Sequence, residues 1–220
     1  VVNEALAPDG SLAKTIFLEK MGPGYIAQCF KWAHEVDPEA TLLYNDNKVE
    51  GWGLGSPHSD KADGFFRLLK SLVDGGVPIH GCGIQGHFVA SGVGVRRPPT
   101  PRAVARLIRR VGMLGLTVNL SEVDIRIADL DMPAAEQDLV QRHILHDILH
   151  ACFRQENFTG VYFWGVADHV SWVEDFYASK DRPLFLDSEY NVKESYKGVR
   201  EALTEVDRAG HQQCAMADAT

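Results

Sequence analysis

Apolar and polar positions follow two rhythms along this chain. Short apolar runs read as strands; between them, apolar residues recur every three to four positions and read as helices. The residues 1–5 form the end of a strand, and 24–34 a helix stopped by Asp37-Pro38. A strand over 41–44 leads to a helix over 61–73, capped by Asp60 and closed by Gly75-Gly76. Then come a strand over 77–84, a helix over 101–113 and a strand over 116–121. The Asp131-Met132-Pro133 turn opens a long helix to about Arg154, followed by a strand over 161–164 and a last helix over 192–206. Strand and helix alternate about five times, which predicts βαβ units around a parallel sheet and an α/β fold class. The chain reads as one unit over 1–206 with a polar tail, 207–220, expected to be disordered.

The stretch from Leu116 to Ile127 anchors this reading. Its start is a near-continuous apolar run, the pattern of a buried parallel strand. At its far end Glu122 and Asp124 stand two apart, so both leave the strand on one face. Acids at the exit of a buried strand are costly unless paired or used.

Composition narrows the classes. With 220 residues, 45% hydrophobic and 24% charged, the chain can bury a sizeable core. A formal net charge of -8 argues against nucleic acid or an anionic membrane as partner and leaves room for a neutral substrate. No apolar run approaches a membrane span. Neither a Gly-x-Gly-x-x-Gly opening a helix nor a Walker loop is present, so nucleotide cofactors have no support and none is expected. The four cysteines lack Cys-x-x-Cys spacing, and buried free thiols are the default, with one disulfide left open.

Every strand run ends in polar residues: Asn3 and Glu4, Asn45 and Asp46, Gln85 and His87, Glu122 and Asp124, Trp164 with Asp168. In a (β/α) barrel the site is built where the strands end. Glu4 and Glu122 are two carboxylates aimed at one rim, and His87 and Asp124 can hydrogen-bond around Glu122. Trp164 and Trp172 offer flat faces that stack on sugar rings, and Asn3, Asn45 and Gln85 suit hydroxyls. Two carboxylates, aromatics and amides without a cationic phosphate grip form the inventory of glycoside hydrolysis. His143, His146 and His150 have helical spacing that could share a face, but no motif supplies an acid or Cys partner. They are read as surface histidines, and no metal is expected. Phe30 and Trp32 are read as helix-to-barrel packing, and Trp52 is left between cleft wall and loop packing.

Val-Val-Asn-Glu-Ala (1–5), Tyr-Asn-Asp (44–46), Gly-Ile-Gln-Gly-His (83–87), Ser-Glu-Val-Asp (121–124) and Trp-Gly-Val-Ala-Asp-His-Val-Ser-Trp (164–172) resemble the successive motifs of glycoside hydrolase family 10. The resemblance implies endo-β-1,4-xylanases on a (β/α)8 TIM barrel, acting on xylan or xylo-oligosaccharides with retention. It implies Glu4 as acid/base and Glu122 as nucleophile, with carboxyls about 5–5.5 Å apart. It also implies that Asn3 binds the 2-hydroxyl, that Gln85 and His87 flank the nucleophile, and that Asp124 supports His87. Trp164 would form the floor under the sugar and Trp172 would close over it. A monomer and a secreted protein are expected, the latter from the substrate alone.

Four departures stand out. Asn47-Lys48 replaces a Tyr-Asn pair usual after Asn-Asp, Val173 an arginine, Ser121 a threonine and His80 an aspartate. The motif series begins at the fourth strand of such a barrel, so the chain reads as roughly strands 4 to 8 of an incomplete barrel. On this reading the piece alone is weakly active or inactive. Two other readings stay open: a non-catalytic carbohydrate-binding barrel, and another retaining β-glycanase of the same clan. Retention of both glutamates with Asn3, Gln85 and His87 favours the enzyme, because a binder of neutral sugar has no need of two carboxylates.

Overall fold

The computed structural model describes residues 1–50, 59–91 and 98–217, the side chains of 59 and 208–217 excepted. Trp52 and the side chain of Cys214 lie outside the described residues. In chain order the elements are β1 (Val2–Asn3), α1 (Ile16–Met21), α2 (Tyr25–Val36), β2 (Leu43–Asp46), α3 (Ser59–Asp74) and β3 (Gly81–Val89). They continue as α4 (Pro101–Gly112), β4 (Thr117–Arg126), α5 (Ala134–Phe153), β5 (Phe158–Phe163), α6 (Trp172–Tyr177) and α7 (Glu194–Ala217). The five strands form one parallel sheet in the order β1-β2-β3-β4-β5. Each strand lies beside its predecessor, as in a (β/α) barrel. Among the described residues no helix is long and apolar enough to cross a membrane.

The register separates the two faces. One row runs Asn3, Asn45, Gly83, Asn119, Gly160 across all five strands. It carries amides or no side chain. The next row, Asp46, Ile84, Leu120 and Val161, faces the helices. There Ile84 and Leu120 join one core with Phe30 of α2, Phe65 of α3, Ile108 of α4 and Ile148 of α5. The run 116–120, read as near-continuous, therefore alternates. Val118 and Leu120 are fully buried, whereas Asn119 points its oxygen toward Gly83. A Cβ on Gly83 would stand 2.3 Å from Asn45 Oδ1, so only glycine lets the polar row close.

Several boundaries differ from the sequence reading. β3 starts at Gly81 rather than at Val77. Pro78 has no N–H for a ladder, and Ile79 N instead bonds Val77 O at 2.7 Å in a tight turn. The strand then runs past Gln85 and His87 through an irregularity in its pairing with β4. β4 likewise continues to Arg126 instead of ending at Ser121, and β5 begins at Phe158. Asp60 lies inside the first turn of α3, which begins at Ser59. α7 continues to Ala217, so most of the expected tail is helical backbone. Asp207 to Ala217 contains no proline, and Ala, Arg, Gln and Met favour the helix.

α1 and α6 were not expected. Thr15 Oγ1 caps α1 by accepting from Leu18 N, and Ser171 Oγ caps α6 by accepting from Val173 N, each at 3.2 Å. α5 and α7 pack closely. A Cβ on Gly198 would meet Arg142 O at 2.5 Å, and the Arg142 guanidinium reaches Glu194 and Glu201 of α7. His146 is half-buried in this seam, with Nε2 3.2 Å from Glu205 and Nδ1 2.9 Å from Asp147. Burial alone would lower its pKa, and the two carboxylates together leave it raised. Phe30 is fully buried as read, but Trp32 is half exposed on the outer face of α2, not packed on the barrel. Cys29, Cys82 and Cys152 are free thiols. Burial pushes Cys152 up to about 12 and so keeps it from ionising.

Candidate active site

Glu4 follows β1 and Glu122 lies within β4, two strands further across the sheet than β2, and both are held in the left-handed backbone region, with φ of 52° and 58°. A residue with a Cβ avoids that region at a cost of about 1–3 kcal/mol unless its surroundings impose it. At Glu4 the backbone is pinned by Glu4 N donating to Asn45 O at 2.9 Å. At Glu122 the β4–β5 pairing skips from Leu120 to Val123. The bulge turns Glu122 onto the same rim as Asp124 although the regular alternation is broken.

Amides link the two carboxylates. Gln85 Nε2 donates to Glu4 Oε1 at 2.9 Å and to Asn3 Oδ1 at 3.2 Å. Asn45 Nδ2 donates to Asn3 Oδ1 at 2.8 Å and to Glu122 Oε1 at 2.7 Å. Ser121 Oγ donates to Asn45 Oδ1 at 2.6 Å, which fixes the amide with its nitrogen toward Glu122. That role of Ser121 was not read from the sequence, where it stood only as a replacement for threonine.

His87 joins Glu122 to Asp124. Its Nε2 lies 3.3 Å from Glu122 Oε2 and its Nδ1 2.9 Å from Asp124 Oδ2. Carboxylates only accept, so both ring nitrogens must carry protons to make both bonds. Burial, the largest influence, pushes the His87 pKa down. The hydrogen bonds and charges of Asp124 and Glu122 together outweigh it and leave the pKa raised. Asp124, almost fully buried, also accepts from Trp172 Nε1 at 2.7 Å through the same Oδ2. Trp172 thereby stands with its edge against His87, ring centres 4.8 Å apart, and extends outward through Phe176. Trp164 is half exposed at the end of β5 and tied to β4 by its backbone N–H to Val123 O at 3.1 Å.

Two of the polar strand ends are drawn away from this cluster. Asp168 is buried in an ion pair with Lys193 at 2.9 Å and accepts from Leu184 N. Burial raises its pKa against that pairing, and lowers that of Lys193. Asp46 is fully buried beneath the rim and holds Lys61 Nζ at 2.7 Å, with Tyr44 Oη and Leu6 N as donors. Lys61, which no motif singled out, also donates to Asn47 Oδ1 at 2.9 Å. His80 Nδ1 accepts from Leu42 N at 2.9 Å and is structural. Val173 is fully buried in α6, so an apolar side chain fills its place.

Asn3, Glu4, Asn45, Gln85, His87, Glu122, Asp124 and Trp172 thus form one connected network, with Trp164 beside it on the adjoining strand. The chain matches the sequence model of glycosyl hydrolase family 10 over residues 1–202. The chain belongs to glycosyl hydrolase family 10. It is 38% identical over 205 residues to endo-1,4-beta-xylanase A of Humicola insolens, covering 93% of this chain and 51% of that relative. It is 33% identical over 209 residues to endo-1,4-beta-xylanase B of Paenibacillus barcinonensis, covering 89% of this chain and 59% of the relative. Among solved structures, xylanase 10B from Thermotoga petrophila RKU-1 in complex with xylobiose superposes with a TM-score of 0.83 at 30% identity. That match covers 93% of this chain and 59% of the other. The chain spans about half to three-fifths of the length of these relatives. With the family-10 match and the strictly ordered parallel sheet, the fold is an incomplete (β/α) barrel.

Proposed function

We propose that this chain carries the two catalytic carboxylates of a retaining endo-β-1,4-xylanase. The observation that carries the reading is the amide bridge between Glu4 and Glu122, with His87 braced on Asp124 against the second of them. The names of the family-10 relatives support xylan as substrate.

In the first step a carboxylate oxygen of Glu122 bonds to the anomeric carbon while the glycosidic C–O bond breaks. Glu4 gives its proton to the departing oxygen. In the second step Glu4 takes a proton from water, and the water oxygen displaces Glu122, restoring both groups. The double displacement retains configuration. Asn45 and His87 hold the two oxygens of Glu122, so the nucleophile does not have to be oriented during the reaction. Asn3, between the two acids, lies where a hydroxyl next to the anomeric carbon would sit. Trp172 and Trp164 offer apolar faces to the ring. The activity is placed outside the cell because the polymer is there.

The test is reducing-sugar release from xylan by the full-length protein that contains this chain. Glu4→Gln is expected to lose about 10²–10⁴-fold in kcat on xylan. It should recover much of that on an aryl xyloside, whose leaving group needs no proton. Glu122→Gln is expected to lose activity by orders of magnitude on both substrates. Binding of xylan by the wild type without cleavage would defeat the enzyme reading and favour a carbohydrate-binding barrel.

A further inference from the structure

The Tyr-Asn-Asp run of β2 sends its side chains two ways. Asn45 lies on the polar row and reaches Glu122, whereas Tyr44 and Asp46, two apart, share the other face and are both fully buried. That face is the apolar one: the Tyr44 ring packs against Phe65 of α3, ring centres 5.7 Å apart. A phenol and a carboxylate are costly there unless their oxygens are used. They are used on the segment that carries Glu4.

Three successive backbone N–H groups of that segment donate to β2. Glu4 N donates to Asn45 O at 2.9 Å, Ala5 N to Tyr44 Oη at 3.1 Å and Leu6 N to Asp46 Oδ2 at 3.3 Å. Tyr44 Oη in turn donates to the same Asp46 oxygen. Lys61 Nζ and Asn47 N hold the other carboxylate oxygen, at 2.7 and 2.8 Å. Burial and the charge of Asp46 push the Tyr44 pKa far up, so its hydroxyl keeps its proton and stays donor and acceptor at once. Beyond the clamp the chain returns on itself, with Ala13 N donating to Ala5 O at 2.8 Å. A glutamate rests in the left-handed region only when its surroundings impose it. The β1–β2 pairing ends at Asn3 with Asn45, and the two bonds that fix the backbone after Glu4 come from side chains.

We propose that Tyr44 and Asp46, with Lys61 as counter-charge, are positioning residues for Glu4: they fix the backbone that aims its carboxyl at the departing oxygen. This rests on Glu4 being the acid/base. The three residues act through the N–H groups of Ala5 and Leu6, not on the sugar. Released from the clamp, Glu4 relaxes out of its strained backbone, and its carboxyl leaves the bond from Gln85 Nε2.

The experiment uses the full-length protein and two substrates, an unbranched xylo-oligosaccharide and an aryl xylobioside whose leaving group needs no proton. The readout is the ratio of kcat/KM for the first over the second. This constant covers the steps up to the first bond cleavage, where only the oligosaccharide needs a proton from Glu4. Tyr44→Phe keeps the ring and removes the hydroxyl. The ratio is expected to fall about 10- to 100-fold, with the aryl rate within about threefold of wild type. Phe65→Leu is the packing control: it loosens the same core contact, lowers the melting temperature and leaves the ratio unchanged. Should Tyr44→Phe not fold, Asp46→Asn removes the charge that draws both Tyr44 Oη and Leu6 N, and is expected to lower the ratio in the same sense. An unchanged ratio in Tyr44→Phe, whether the two rates hold or fall together, overturns the proposal. So does an equal fall of the ratio in Phe65→Leu. Failure of the xylanase reading looks different: the wild type would cleave neither substrate. A crystal structure of Tyr44→Phe then decides, with Glu4 expected to have left the left-handed region. Glu4 still there and still bonded by Gln85 would overturn the clamp without any turnover.

Discussion

Five residues other than glycine adopt positive φ among the described residues; two of them, Glu4 and Glu122, belong to the network, and a third, Lys48, lines a cavity with Glu4. None of this could be read from residue type, since glutamate and lysine carry no signal for that region. What was legible was the company each residue keeps: Glu4, Gln85, His87 and Glu122 each follow an apolar run. Lys61 was not legible because its partner, Asp46, lies across a helix start that no local pattern connects. The two side chains are 5% and 0% exposed. Lys61→Met is therefore expected to leave a buried unpaired carboxylate and to destabilise by about 3–5 kcal/mol, as read by urea unfolding. A loss within experimental error would show that Asp46 finds another partner.

His87 gives a prediction of definite sign. Its folded pKa is raised, so the stability it contributes is fully present below the unfolded value near 6.5. It is lost as pH rises through the folded value. His87→Asn should destabilise more at pH 6 than at pH 9. A constant difference across that range would mean that His87 packs in its neutral form.

At the scale of elements, the long periodic helices α2, α4 and α5 emerged close to their observed bounds. Six-residue α1 and α6 did not, because so short a helix shows less than two turns of period and is declared mainly by its cap. The strand ends shifted for a related reason. Pairing with β4, which no local pattern reports, carries β3 five residues beyond its expected end, from Ile84 to Val89. Gly83 sits where β2, β3 and β4 close over the polar row. Gly83→Ala is expected to push Asn45 aside, cost about 1–3 kcal/mol of stability and lower kcat by at least about tenfold. A crystal structure of the variant with Asn45 still bonded to Glu122 and kcat unchanged would contradict the part assigned to that amide.

At the scale of the molecule, β1 and β5 pair on one side only among the described residues. Unpaired edges of this kind invite association. We expect the 220-residue chain by itself to associate with rising concentration in analytical ultracentrifugation and to cleave xylan weakly or not at all. A monodisperse, fully active monomer would refute this. Trp164, half exposed just past the end of β5, would be covered or joined by neighbours in a closed barrel.

The strict order of the strands also bears on how the protein is made. Each βα unit adds to the edge left by the one before, so a nascent chain can extend its sheet without rearranging what has already docked. The amide bridge cannot keep that pace. Asn45 and Glu122 are 77 residues apart, an interval of about 4–15 s at usual rates of synthesis. Asn45 can meet Asn3, and Gln85 both Asn3 and Glu4, before the interval is over; the bond from Asn45 to Glu122 is the last of the bridge to form. The two glutamates proposed to act together therefore meet across the amides only when β4 arrives, and no earlier stage of the growing sheet holds the pair.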